Sequence, residues 1–311
     1  MRNNKIAGNR PHIPVSEPAQ SAADRTEIAM KIRVGFELAY EFVAPTPTVL
    51  MLNVHPSRAI DLIKSDQLRI MPTLPMTRYT DAFGNTCTRL LAPKGELQIC
   101  TDAIVADSGL PDEVEPAAPQ REVADLPHET LVFLLGSRYC ETERLMNEAW
   151  SLFGKTPTGW PRVQAICDFV QSNVRFGYQH ARATRTAAEV ALERCGVCRD
   201  FAHLAITLCR CMNIPARYCT GYLGDIGVLP DPDPMDFSAW FEVYLGNRWY
   251  TFDARHNTPR IGRILMARGR DAADVAISTT FGPNTLKRFI VQTDEIIDEP
   301  VHSVLLDRKA A

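Results

Sequence analysis

The sequence predicts an α+β fold, and three observations carry that prediction. Strand-like alternation dominates residues 28–107, helical periodicity dominates residues 126–212, and short strands return after residue 216. Strands, then helices, then a second set of strands is the segregated order of an α+β chain. At 311 residues the chain suits one large or two ordinary domains. The expected organisation is a disordered leader over 1–27, an N-terminal β-sandwich-like domain over 28–107 and a linker over 108–125. A helix-and-sheet core over 126–295 and a tail over 296–311 complete it.

Each element has its own signal. Val34, Phe36, Leu38 and Tyr40 alternate with Arg33, Gly35, Glu37 and Ala39, the period of a half-buried strand. Pro45 and Pro47 end that run. Residues 49–54, 66–71 and 97–104 are further strands, and residues 81–86 form a turn at Gly84 and Asn85. Several short strands separated by turns fit a sandwich. Residues 108–125 hold Pro111, Pro116, Pro119 and five acidic side chains, without apolar periodicity. Helices follow over 141–153 and 160–174. Thr186 and Glu189 have capping-box spacing at the head of a third helix that ends near Arg194. Gly196 interrupts, and residues 197–212 form a fourth helix that Pro215 stops. Strands are expected over 216–223, 239–245 and 248–254, with Gly246-Asn247 as a hairpin turn between the last two. Pro230, Pro232 and Pro234 make residues 224–236 a loop, and a last strand is expected over 286–292.

Composition narrows the function classes. The chain is 45% hydrophobic and 23% charged, with a net charge of −3. No basic field argues for nucleic acid or an anionic membrane. No apolar run approaches the roughly 18 residues of a membrane helix. The polar, proline-bearing start lacks a signal-peptide core, so a cytoplasmic location is expected. Nine cysteines are an odd number, and in such a setting most are read as small buried hydrophobes.

The chemistry sits in Arg194-Cys195-Gly196-Val197-Cys198-Arg199-Asp200-Phe201-Ala202. A thiol attacks acyl groups as thiolate, and a free thiol titrates near about 8.5. A helix N-terminus favours negative charge, so Cys198 in the first turn is expected to titrate low. The same N–H groups suit an oxyanion. At about 100° per residue Cys198 shares a face with Phe201, Ala202 and Ala205, towards the core. With a two-residue turn at Gly246-Asn247, Leu245 pairs with Arg248, Trp240 faces Asp253, and Ser238 lies diagonally from Asp253.

These residues resemble a known family. The run from Gly196 to Ala202, Ile214-Pro215-Ala216-Arg217, Gly221-Tyr222, Ala239-Trp240-Phe241-Glu242-Val243 and Trp249-Tyr250-Thr251-Phe252-Asp253 resemble the bacterial transglutaminase-like superfamily. The resemblance covers roughly residues 138–257 and implies a papain-like core with a Cys-His-Asp triad. That superfamily includes transglutaminases, peptidases and amidases. Carried over by position, Cys198 is the nucleophile and Asp253 the orienting carboxylate. The family's histidine falls on Ser238, where this chain departs, and a serine is no general base near neutral pH. His256, three residues after Asp253, is the candidate replacement. His203 falls about 140° around the helix from Cys198, and nothing in the spacing draws His180 to the cleft.

The expected function is therefore acyl transfer or hydrolysis at amide bonds of a peptide or protein substrate. Trp240, Tyr222 and Cys195 are candidate substrate-binding residues, and no metal or organic cofactor is implied. The alternative is a catalytically impaired transglutaminase fold that binds a peptide or protein in the old cleft. Cys195-Gly196-Val197-Cys198 also has disulfide-oxidoreductase spacing, but a helix, not a strand, precedes it. Zinc lacks two further ligands, since Cys209 and Cys211 point to different faces. The four aspartates of residues 224–236 lack the closing glutamate of a calcium loop.

Overall fold

The structure, a computed structural model, describes residues 30–297. The expected leader, and all but two residues of the expected tail, lie outside them. The chain opens with β1 (Met30–Phe42), which is long because inward Ile32, Val34, Phe36, Leu38, Tyr40 and Phe42 keep period two throughout. Short strands follow: β2 (Thr46–Leu50), β3 (Leu62–Lys64), β4 (Arg69–Met71), β5 (Met76–Thr80) and β6 (Thr86–Ala92). β5 and β6 flank the expected turn, where Asp81 Oδ1 accepts from the N–H groups of Phe83 and Asn85. β7 (Gly95–Asp107) closes the first region.

Helices dominate next. α1 (Thr142–Phe153) and α2 (Trp160–Asn173) precede a two-residue strand, β8 (Arg175–Phe176). α3 (Ala187–Glu193) starts at the expected capping box, with Glu189 N–H donating to Thr186 Oγ1 at 3.4 Å and Thr186 N–H to Glu189 Oε2 at 2.9 Å. β9 (Cys195–Gly196) leads into α4 (Cys198–Cys211). Every residue of α4 from Asp200 on is buried, as befits a helix enclosed on all sides. Its one buried cation, Arg210, donates to the carbonyls of Leu135, Ala216 and Arg270.

β10 (Ala216–Tyr222), β11 (Ser238–Leu245), β12 (Arg248–Phe252) and β13 (Ile264–Gly269) form an antiparallel sheet in the order β12-β11-β10-β13. Ala239, Phe241, Val243 and Leu245 face the helices and share their hydrophobic cluster. The chain ends in β14 (Ser278–Thr280) and β15 (Asn284–Glu295).

The N-terminal strands make two sheets, β15-β1-β7-β3 with β4 also on β7, and β14-β2-β6-β5. Their inner faces share one cluster, which also takes in Tyr222, Phe237, Ile264 and Met266. Both faces of the β10–β13 sheet are therefore buried, one by helices and one by the N-terminal strands. The last strand is longer than expected and does not extend the core sheet. It pairs along β1 from Ile32 opposite Glu295 to Phe42 opposite Asn284. Residues 108–125 have little regular structure but are held in place. Gly246 N–H donates to Pro119 O, and Gln120 Nε2 donates to Met212 O. Among the described residues no helix is long and apolar enough to cross a membrane.

Candidate active site

Local chemistry fixes the start of α4. Asp200, the third helical residue, turns back so that its carboxylate accepts the Val197 N–H at 2.9 Å, satisfying one orphan donor. Arg185 donates to the same oxygen at 3.1 Å, pairing the buried charge. Gly196 is required here because a Cβ would come 2.5 Å from Asp200 Cβ. Cys198 follows at the first turn, half-buried against the helical core.

The thiol does not titrate low as the helix position suggested. Burial, followed by the nearby Asp236 carboxylate, pushes it up to about 11, against the downward pull of Arg255 and the Ala239 N–H. Desolvation outweighs the partial charge of the helix terminus, so the resting thiol is neutral, and attack through it would need a base.

The candidate base, His256, lies beyond β12. Leu245 sits opposite Arg248 and Phe241 opposite Phe252, the expected register, which carries Asp253 to the end of the hairpin. There the chain turns tightly, with Asn257 N–H donating to Asp253 O and Asn257 at a φ of 52°. Asp253 Oδ1 accepts the N–H groups of Arg255 and His256, at 2.9 and 3.1 Å. Its Oδ2 meets His256 Nδ1 at 2.9 Å and Arg263 Nη2 at 3.1 Å. Burial alone would raise this carboxyl, but Arg263 and His256 outweigh it and hold it well below the usual carboxylate range. An ionised carboxylate only accepts, so His256 Nδ1 carries the hydrogen and Nε2 is left to take a proton. Gln171 on α2 donates to His256 O at 3.0 Å and fixes the turn from outside.

Cys198, Ser238 and His256 line one cleft of about 590 Å³, counting its open mouth. Asp236, Arg255 and Tyr178 line it too. The Ser238 hydroxyl is buried with no partner, and it makes none of the Asp253 bonds. Among the described residues no three His, Cys, Asp or Glu side chains converge as a metal site.

Comparison with known proteins shows the family of the fold. The family model of the transglutaminase-like superfamily matches residues 149–254. A solved structure from Cytophaga hutchinsonii, described as a candidate cysteine protease, is 30% identical with a TM-score of 0.75, over 87% of this chain and 92% of that one. The chain belongs to the transglutaminase-like superfamily. An uncharacterized protein of Mycobacterium leprae (strain TN) is 26% identical over 223 residues, 67% of this chain and 78% of its own. One from Mycobacterium tuberculosis (strain ATCC 25618 / H37Rv) is 37% identical over 101 residues, 28% of this chain and 31% of its own.

Within this transglutaminase-like site the sequence candidates divide. Cys198, Ser238 and His256 meet in the cleft, and Asp253 stands behind His256. Trp240 does not line the cleft. It is 2% exposed and lies under the Arg263 guanidinium, 5.2 Å from its ring centroid, on the sheet face away from α4. Tyr222 is packed against Phe237 in the N-terminal cluster and does not reach the cleft either. The N-terminal strands cover Tyr222, whereas Trp240 lines a separate pocket beside Arg58, Asp107 and Asp112. Cys195 pairs with Arg175 in the short β8–β9 ladder and is no part of the cleft lining. His203, on α4, is buried outside the cleft lining, with Nε2 accepting the Ala272 N–H. His180 lies outside the cleft, and its carbonyl accepts from Arg185.

Three supporting residues, Arg263, Asp112 and Asp200, are absent from the sequence candidates. Arg263 bridges Asp253 to Asp112, at 3.1 and 2.8 Å. Neither residue lies in a periodic segment, and Asp112 falls in the expected linker. Asp200 stands inside the quoted motif, and its spacing from Val197 was the available signal for a cap.

Proposed function

We propose that this protein is a thiol-dependent amidase or peptidase in which Cys198 attacks, His256 is the base, and Asp253 orients it. The observation that carries the reading is the His256–Asp253 bond in the cleft that Cys198 lines. His256 supplies the imidazole that the strand position Ser238 lacks. As Sγ bonds to the substrate carbonyl carbon, its proton passes to His256 Nε2. Backbone N–H groups at the start of α4 are suited to receive the oxyanion. The C–N bond breaks, the amine departs with the proton from His256, and a thioester remains on Cys198. Water then gives a proton to His256 and its hydroxide to the acyl carbon, releasing a carboxylic acid and restoring the thiol. The likeness to a protein described as a candidate cysteine protease supports hydrolysis over cross-linking.

Nine unpaired thiols support a reducing, cytoplasmic setting. The thiol pushed up to about 11 favours a second reading, a peptide-binding module without turnover. The p-nitrophenyl acetate reaction separates them. The enzyme reading expects acetylation of Cys198, seen as a 405 nm burst with the adduct located by mass spectrometry, and no burst in Cys198→Ala. A binding module gives no burst in either protein.

A further inference from the structure

The loop of residues 224–236 gives the cleft a charge that the catalytic chemistry does not use. Asp225, Asp231, Asp233 and Asp236 all line the cleft, against Arg255 and Arg260. Before His256 is counted, four negative and two positive side chains leave a net charge of −2. Asp231 stands 3.6 Å from Arg255 and Asp225 3.7 Å from Arg260, so each arginine already has a partner. Among the described residues Asp233 and Asp236 are in no ion pair. The loop is also shaped. Its prolines fix the backbone at residues 230, 232 and 234. Asp231 N–H donates to Asp225 Oδ2 at 2.8 Å and Asp233 N–H to Asp231 Oδ1 at 3.0 Å. Arg260 ties the loop base through Gly224 O at 2.9 Å.

A second observation at the same place points to a ligand. Ser238, 8% exposed, opens on this cleft with a hydroxyl that has no partner. A buried hydroxyl left unpaired is costly, and a polar ligand atom entering the cleft would satisfy it. The four carboxylates do not converge on a metal-ligating group. A spread of fixed carboxylates around a thiol suits an extended organic cation better than a point ion.

We propose that the cleft selects acyl donors bearing a cationic side chain, of lysine or arginine type, beside the amide that Cys198 attacks. The inference rests on the thiol-enzyme reading and adds its substrate class. Asp233 and Asp236 receive the ammonium or guanidinium group, and the Ser238 hydroxyl bonds a polar atom of the bound peptide. An acidic neighbour in the substrate is repelled.

The test reads the charge without needing the natural substrate. Cys198 of the full chain is modified by ethyl methanethiosulfonates that carry a trimethylammonium, no charge or a sulfonate. Rates are taken by mass spectrometry at Cys198 and divided by those of 2-mercaptoethanol. The expected cation-to-anion ratio is about 10 or more at low salt, falling towards 1 in about 1 M NaCl. Asp233→Asn with Asp236→Asn lowers it at least about threefold. Tripeptide vinyl sulfones differing only in lysine, norleucine or glutamate are expected to label Cys198 in that order. A ratio near 1, a ratio unmoved by the double substitution, or glutamate labelling as fast as lysine overturns the proposal. Failure of the enzyme reading looks different: the charge ratio persists, while acetylation of Cys198 by p-nitrophenyl acetate is unaffected by His256→Ala.

Discussion

Asp253 and His256, three residues apart, are joined twice: Oδ1 accepts the His256 N–H at 3.1 Å, and Oδ2 meets Nδ1 at 2.9 Å. The double contact fixes both the backbone turn and the ring. Asp253→Asn keeps the shape but offers an amide, which releases the ring from the required tautomer. The expected outcome is a fall of about 10³–10⁴-fold in the rate of Cys198 acylation, with a lower urea midpoint because the substitution also breaks the buried pair with Arg263.

Arg263 is the other partner of Asp253 and is itself buried. Arg263→Met strands the Asp253 charge in a desolvated site. Breaking such a pair costs about 3–5 kcal/mol, so urea unfolding of Arg263→Met should show a loss in that range. Arg263→Lys should recover part of it, since a lysine keeps the charge without the fork that also reaches Asp112.

The start of α4 is a further point of fragility. Gly196→Ala places a methyl group 2.5 Å from Asp200 Cβ. Overpacking of this kind costs about 1–3 kcal/mol. Asp200→Ala removes the Val197 acceptor and the Arg185 partner, with an expected cost of about 3 kcal/mol. Thermal melts should rank Asp200→Ala below Gly196→Ala, and both should slow Cys198 labelling by iodoacetamide.

Acid sensitivity should come from a histidine outside the site. Burial, with Arg268 and Arg217 nearby, lowers His55 to about 4. Between that value and the unfolded value near about 6.5, only the unfolded chain binds the proton, so stability falls as pH falls through this window. His203 is also held well below its ordinary value, by burial first and then by Arg199 and Arg210, and acts in the same direction. The urea midpoint should drop from pH 7 to pH 4.5. His55→Asn should flatten that slope while keeping an acceptor for the Ser57 N–H that His55 Nδ1 now takes.

Much of the site was legible because its signals are local. The Thr186–Glu189 cap, the α4 start and the Gly246-Asn247 turn are each written in a few adjacent residues. The hairpin register then delivers Asp253. The rest depends on distant partners. β15 joins β1 some 250 residues upstream, a pairing that no local pattern encodes. Tyr222 reads as a substrate-binding candidate, and only the docked N-terminal strands make its surroundings a second interior. The raised thiol has a related cause. The helix terminus is visible in sequence, but the burial around Cys198 and the approach of Asp236 are tertiary.

The most direct test of the account is the rate of Cys198 acetylation by p-nitrophenyl acetate at neutral pH in the natural chain and in His256→Ala. The expected result is a burst from the natural chain, the adduct on Cys198, and a loss of about 10²-fold or more on substitution. Equal rates in the two proteins, with both folded by circular dichroism, would contradict it, because Cys198 would then react without His256.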